Sequence, residues 1–186
     1  MVVLIGGPGC VGKTKLAGRL AAEYGFFAFS LDHLKMGLIR GLPDCGFTAE
    51  SDDRLITAKL WPIVRGIVMT AVENGQDLIL EGCYLPPEEL AALPEEYRRE
   101  ITAFWLLFSR GYVMKHYGDI LAHRCDAERR LYPEERSAEQ MAVEHERWAA
   151  LCAGAGAKHF IIEEDYEGEL EAALRRLRER LGPPRR

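Results

Sequence analysis

Apolar residues along the chain fall into short, dense runs separated by longer stretches in which they recur every three or four positions. The runs are VVLI at 2–5, FFAFS at 26–30, DLIL at 77–80, ITAFWLLF at 101–108 and KHFII at 158–162. Runs this short and continuous fit strands covered on both faces. Their alternation with amphipathic stretches predicts an α/β protein of three α/β/α layers around a five-stranded parallel sheet.

The stretches between the runs read as helices. Lys13 to Tyr24 places Leu16, Leu20 and Ala21 on one face, and Gly25 follows where a left-handed cap is expected. A longer helical stretch extends from about Thr48 to Asn74, opening with Thr48 and Ser51 and carrying Leu55, Leu60, Ile63, Val64, Ile67 and Val68. Pro62 is expected to bend or split it. In the last helix Leu170, Leu174, Leu177 and Leu181 form one apolar stripe, leaving Glu and Arg to water. Between 109 and 154 charge of both signs dominates and apolar periodicity is modest, so an exposed excursion between two helices is expected there.

With 186 residues and no internal repeat or low-complexity linker, one domain spanning 1–186 is expected. No run of 18 consecutive apolar residues occurs and no basic region precedes the first apolar run, so no membrane association and a cytoplasmic location are expected. Cys10, Cys45, Cys83, Cys125 and Cys152 show neither CxxC nor metal-site spacing, which favours reduced thiols. A net charge of −5 with scattered cations disfavours nucleic acid as a partner.

One stretch carries a specific chemical signal. Gly7-Pro8-Gly9-Cys10-Val11-Gly12-Lys13-Thr14 satisfies G-x-x-x-x-G-K-[ST] at every fixed position, after a strand and at the start of a helix. Glycines let consecutive backbone N–H groups turn inward, and the helix N-terminus adds partial positive charge. Lys13 reaches terminal phosphates, and Thr14 offers its hydroxyl to Mg²⁺. The donor-binding set is therefore Gly7, Gly9, Cys10, Val11, Gly12, Lys13, Thr14 and Lys15.

In length, element order and three further landmarks the whole chain resembles the small P-loop kinases, the group that includes adenylate, shikimate and gluconate kinases. The resemblance implies the nucleotide kinase-like P-loop fold with a helical lid within about 118–138 and an acceptor-binding region at about 32–74. It implies transfer of the γ-phosphoryl of ATP, with Mg²⁺, to a small-molecule acceptor. No Asn-Lys-x-Asp base-reading motif of a GTPase is present.

The first landmark is Asp32, just past the second strand, which the resemblance turns toward the acceptor as a proton acceptor or orienting group. Asp32 as a helix N-cap for 33–40 is the plain structural alternative. A second acid two positions on, found in shikimate kinases, is replaced here by Leu34, which disfavours shikimate. The second is Glu81-Gly82 at the end of an apolar run, where Glu81 would hold a Mg²⁺-bound water or the acceptor hydroxyl and Gly82 would let the acceptor approach. Cys83 and Tyr84 beside it are candidates for the lining of the acceptor pocket, with a packed loop as the alternative. The third is the cluster Arg124, Arg129, Arg130 and Arg136 in the excursion, where such kinases place a lid. Arg124 is read as the base-stacking residue and Arg130 as the phosphate-neutralising one, with Arg129 beside them; a solvated, ion-paired helix is the alternative.

Arg40, Arg54 and Arg65 are the cations of the acceptor region, and His33 adjoins Asp32. His116, His123, His145 and His159 lack metal spacing and are expected to be surface or satisfied. The catalytic set is thus Lys13, Asp32, Glu81 and Arg130, with Thr14 as metal ligand, in a monomer or homodimer. A kinase of a nucleotide sugar or of a nucleic-acid end, as zeta-type toxins and polynucleotide kinases are, stays open. So does a nucleotide-binding regulatory module without transfer.

Overall fold

A computed structural model describes residues 1–42, 44–126 and 136–184. The elements are β1 (Val2–Gly6), α1 (Lys13–Tyr24), β2 (Phe27–Ser30), α2 (Leu31–Gly41), α3 (Asp53–Glu73), β3 (Leu78–Glu81), α4 (Pro87–Ala91), α5 (Glu95–Arg98), β4 (Ile101–Phe108), α6 (Arg110–His123), α7 (Ala138–Gly154), β5 (His159–Ile162) and α8 (Tyr166–Leu181). The five strands form one parallel sheet in the order β2-β3-β1-β4-β5. All five apolar runs are strands, shifted by at most one residue at an end.

Alternation along the strands assigns their side chains to two cores. Val3, Ile5, Ile79, Leu106 and Ile162 pack with Leu16 and Leu20 of α1 and with Leu170, Leu174 and Leu177 of α8. Val2, Leu4, Leu80, Trp105 and Leu107 point the other way and pack with Ile56, Leu60, Val64 and Val68 of α3. This is the three-layer α/β/α fold with every central strand apolar on both faces. Gly25 closes α1 with φ 72°, its N–H donating to the Ala21 carbonyl, so the left-handed cap stands where the sequence puts it. The four leucines of α8 are all buried.

Two features of the long helix differ from expectation. It begins at Asp53 rather than near Thr48, because Asp52 caps it by accepting from the Arg54 N–H at 2.9 Å. Thr48 and Ser51 instead bond one another in a turn before the helix, the Thr48 N–H donating to Ser51 Oγ at 2.8 Å. Nor does Pro62 split it: α3 is one helix with Pro62 inside. Pro62 and Ala58, whose carbonyl loses its helical donor, both lie on the exposed side, where solvent is at hand. Among the described residues α3 is also the one helix long and apolar enough to cross a membrane by composition, yet its apolar face lies in the core against the sheet.

His145 on α7 is a structural residue. It is 1% exposed, and its Nδ1 accepts the Phe108 N–H at 2.9 Å at the end of β4. Burial first, then the charges of Lys13 and Arg136, push its pKa down to about 3. An unfolded chain titrates this group near the ordinary value of about 6.5. The folded pKa is the lower, so the stabilisation is complete above pH 6.5 and is lost as pH falls, since only the unfolded chain takes up the proton. We expect urea unfolding to show stability falling by up to about 1.4 kcal/mol per pH unit below pH 6.5 from this group. His145→Gln, less stable at pH 7, should show a shallower decline between pH 6.5 and 4.5; an unchanged slope would contradict the assignment.

Candidate active site

Between β1 and α1 the chain makes the tight turn that the glycines require. Gly7 has φ +130°, and a Cβ there would stand 2.2 Å from the Leu106 carbonyl oxygen of β4. Gly12 has φ +94°, and a Cβ there would stand 2.1 Å from the Tyr166 hydroxyl. Both positions exclude a side chain twice over, by backbone conformation and by space. Cys10, with φ 66°, is the non-glycine residue that accepts a left-handed conformation in the same loop. Gly9 completes the turn, and Val11 buries its side chain in the core.

The turn delivers α1 with its N-terminus bare. No side chain caps it and no acid stands in its first turn, so its free N–H groups and positive dipole end face the loop. Lys13 is only 7% exposed; its Nζ donates to the Pro8 carbonyl at 2.6 Å and lies 3.5 Å from Cys83 Sγ. Burial alone would lower its pKa, but facing Cys83, Glu81 and Asp32 more than reverses this, so the ammonium form is favoured. Thr14 Oγ1 donates to Glu81 Oε1 at 3.2 Å, and Glu81 is 3% exposed at the end of β3.

Asp32 is not the cap of α2. Ser30 is, its hydroxyl accepting from the Asp32 N–H at 3.4 Å, which puts Asp32 in the first turn with its carboxylate free to reach the site. There it meets Lys35, whose Nζ lies 2.8 Å from Asp32 Oδ1 and donates to the Tyr84 hydroxyl at 3.0 Å. Burial opposes the charge on Lys35, and Asp32 and Tyr84 together raise its pKa regardless. Sequence reasoning missed Lys35 and the hydroxyl of Tyr84. The available signal was the spacing of Lys35 three residues after Asp32, one helical turn on, which equally describes an ordinary surface pair. At Gly82 a Cβ would lie 2.8 Å from Leu31 Cβ, so the glycine serves packing of α2 on β3.

Lys13, Thr14, Asp32 and Glu81 line one cavity of about 430 Å³ together with Cys10, Gly12, Lys15 and Cys83. Phe108, Tyr112, Arg124 and Tyr166 also line it, with Phe108 and Tyr112 stacked at 4.7 Å. Lys15 turns along α8, pairing with Glu167 and lying 5.3 Å over the Tyr166 ring. Arg129 and Arg130 fall outside the described residues. Arg136 pairs with Glu144 of α7. A second cavity, of about 610 Å³ between α3, α4 and α7, shares Cys83 with the first; Arg54 and Arg65 line it, and Arg40 lines neither.

No protein-family model matches this chain, and no curated protein does. Solved structures do. The shikimate kinase from Acinetobacter baumannii in complex with shikimate shares 15% identity and a TM-score of 0.60, over 97% of this chain and 92% of that one. The shikimate kinase from Bacteroides thetaiotaomicron is 15% identical with a TM-score of 0.52, covering 97% and 98% of the two chains. A gluconokinase from Sinorhizobium meliloti is 15% identical with a TM-score of 0.50, covering 97% and 94%. The chain has the fold of the small P-loop kinases. Within that class its structural neighbours are shikimate and gluconate kinases, and at this identity the likeness is one of fold.

Gly12 links the loop to α8 and is the sharpest structural test of the site. Gly12→Ala is expected to destabilise by about 1–2 kcal/mol through left-handed strain alone, and more through the clash with Tyr166. Adding Tyr166→Phe should recover the clash part and leave the strain, which thermal unfolding of the three variants measures; no recovery at all would contradict the contact.

Proposed function

We propose that the protein is a phosphotransferase that moves the γ-phosphoryl of ATP to a small-molecule acceptor in the cytoplasm. The observation that carries this reading is the meeting of Lys13, Thr14, Glu81 and Asp32 in one cavity that joins a second at Cys83. A donor chamber and a neighbouring chamber, with the buried lysine at the junction, are what in-line transfer between two bound molecules requires.

The residues present suit a triphosphate and Mg²⁺. The uncapped N-terminus of α1, free of acids, suits anions. The Thr14 hydroxyl and Glu81 carboxylate offer hard oxygens, the donor type that Mg²⁺ takes alongside phosphates. Among the described residues no cluster of three or more His, Cys, Asp or Glu forms a protein-only metal cage, in keeping with an ion held largely by the nucleotide. Thr14 and Glu81 would hold a bound Mg²⁺, which would supply offsetting charge to the phosphates.

Lys13 holds the terminal phosphates and neutralises charge that spreads over the transferring group. The loop N–H groups from Gly7 to Thr14 orient the remaining phosphates, with Lys15 at the rim. Asp32, held by Lys35, orients the acceptor hydroxyl and takes its proton as the oxygen attacks phosphorus. Arg124, on the lining of the donor cavity, stacks on the base. Acceptor binding falls to the region 32–74 and to the walls of the second cavity.

Lys13→Ala is expected to lower kcat for phosphoryl transfer by 100-fold or more, in line with loss of one preorganised charge, while circular dichroism is unchanged. A coupled ADP-release assay over nucleosides, nucleotides, sugars, hydroxy acids and aminoglycosides measures it. ATP turnover unaffected by the substitution would overturn the reading, and tight ATP binding with no transfer to any acceptor would point to a regulatory module instead.

A further inference from the structure

The second cavity says what kind of molecule it holds. We infer that it binds an acceptor with a flat aromatic ring and an anionic group, phosphate or carboxylate; that the ligand is phosphorylated there rests on the kinase reading above.

Its position comes first. Cys83 belongs to the linings of both cavities, and Cys83 Sγ lies 3.5 Å from Lys13 Nζ. A ligand that fills the second cavity therefore abuts the phosphate end of the first.

Its walls come next. Trp61 of α3 and Trp148 of α7 both line the cavity, each 6% exposed. Trp105, the remaining tryptophan, donates its indole N–H to the Leu85 carbonyl at 3.0 Å. The indole N–H groups of Trp61 and Trp148 have no hydrogen-bond partner among the described residues. Neither indole nitrogen is among the buried polar atoms left without a partner, so both N–H groups are open to the cavity and, with the exposed ring edges, face a ligand that offers hydrogen-bond acceptors and an aromatic ring.

The cations complete the pattern. Arg19, Arg110, Arg136 and Arg178 all pair with glutamates within 4 Å. Arg54, Arg65 and Arg147, which line this cavity, make no ion pair among the described residues; Arg147 senses Glu144 only at longer range. They stay unpaired although Asp53, Glu88 and Glu89 line the same space. A guanidinium fork left open in a cavity is suited to two-pronged binding of carboxylate or phosphate. The three acids then take N–H or O–H donors of the ligand. With three cations against three carboxylates in this lining, selection comes from where the charges stand rather than from net attraction.

Size agrees. A volume of about 610 Å³ lies among cavities that enclose drug-sized ligands, more room than a single hydroxy acid fills. An aromatic ring set against the exposed edges of Trp61 and Trp148 accounts for the remainder.

Tryptophan fluorescence tests this directly, because the described lining of the donor cavity contains no tryptophan. The full chain, saturated with a non-hydrolysable ATP analogue and Mg²⁺, is titrated with uridine 5′-monophosphate, 4-(hydroxymethyl)benzoate, uridine, shikimate and gluconate. The anionic aromatic probes should quench at concentrations at least tenfold below uridine, shikimate and gluconate, and the two of them distinguish phosphate from carboxylate. Arg65→Ala and Arg147→Ala should each raise the half-saturating concentration several-fold, and Trp61→Phe or Trp148→Phe should remove part of the quench. Equal binding of uridine or gluconate, no quench by either anionic aromatic probe, or indifference to the arginine substitutions would overturn the inference. ADP release measured with ATP on the same probes separates the two claims: transfer to a neutral sugar sinks the ligand class and keeps the kinase, whereas saturable binding with no transfer sinks the kinase and keeps the ligand class.

Discussion

The Gly82 N–H donates to the Ile5 carbonyl at 3.1 Å, extending the parallel pairing of β3 with β1 by one bond beyond Glu81. That bond sets the level at which both strands end. Ile5 stands opposite Glu81, so the loop that leaves β1 at Gly6 curls over the acid that closes β3. From the other side β4 supplies the Leu106 carbonyl against which Gly7 packs. The cradle is thus held between two neighbouring strands. Central strands with apolar residues on both faces have no freedom to slip by one residue, since a slip would move every side chain from the core it fits into the opposite one. In open α/β sheets, ligands bind at the carboxyl ends of the strands, and here those ends carry Glu81, the phosphate-type loop and Asp32 just beyond Ser30.

Charge balance follows from that geometry. Lys13 and Lys35 are cations in half-buried or buried positions; Lys13 keeps its proton because Cys83, Glu81 and Asp32 face it, and Lys35 because Asp32 and Tyr84 do. The same low-polarity surroundings raise the pKa of the Cys83 and Tyr84 side chains, keeping both neutral. Two ammonium groups against two carboxylates give a polar junction that is satisfied within the protein. Lys13 is meanwhile engaged with the Pro8 carbonyl and Thr14 with Glu81. On the proposed reading, a triphosphate entering the loop would exchange these internal partners for its own oxygens, and such an exchange is electrostatically even only for an anion.

Much of the fold was legible because it depends on periodicity that a single chain displays. Five apolar runs became five strands, and the P-loop signature appeared where strand gives way to helix. What stayed hidden depends on contacts between distant segments. Pro62 reads as the site of a bend or a split, and its position on the exposed side of α3 lets the helix continue without a split. Nothing in the spacing of Trp61 and Trp148 links them, and only the folding of the chain brings both to one cavity. Lys35 reads as a surface partner of Asp32 until Tyr84, nearly fifty residues away, closes over it. Of the arginines, the pattern identified a charged excursion, whereas the unpaired state of Arg54, Arg65 and Arg147 is a property of what surrounds them.

The polar junction at the ends of β1 and β3 is the centre on which donor cavity, neighbouring cavity and chemistry converge. A crystal structure with Mg²⁺ and a non-hydrolysable ATP analogue tests that claim most directly. The account predicts that Lys13 Nζ leaves the Pro8 carbonyl and Cys83 for the terminal phosphates, that the Thr14 hydroxyl turns from Glu81 to the metal, and that the γ-phosphate points toward Cys83. A triphosphate bound elsewhere, with Lys13 still on the Pro8 carbonyl, would contradict it.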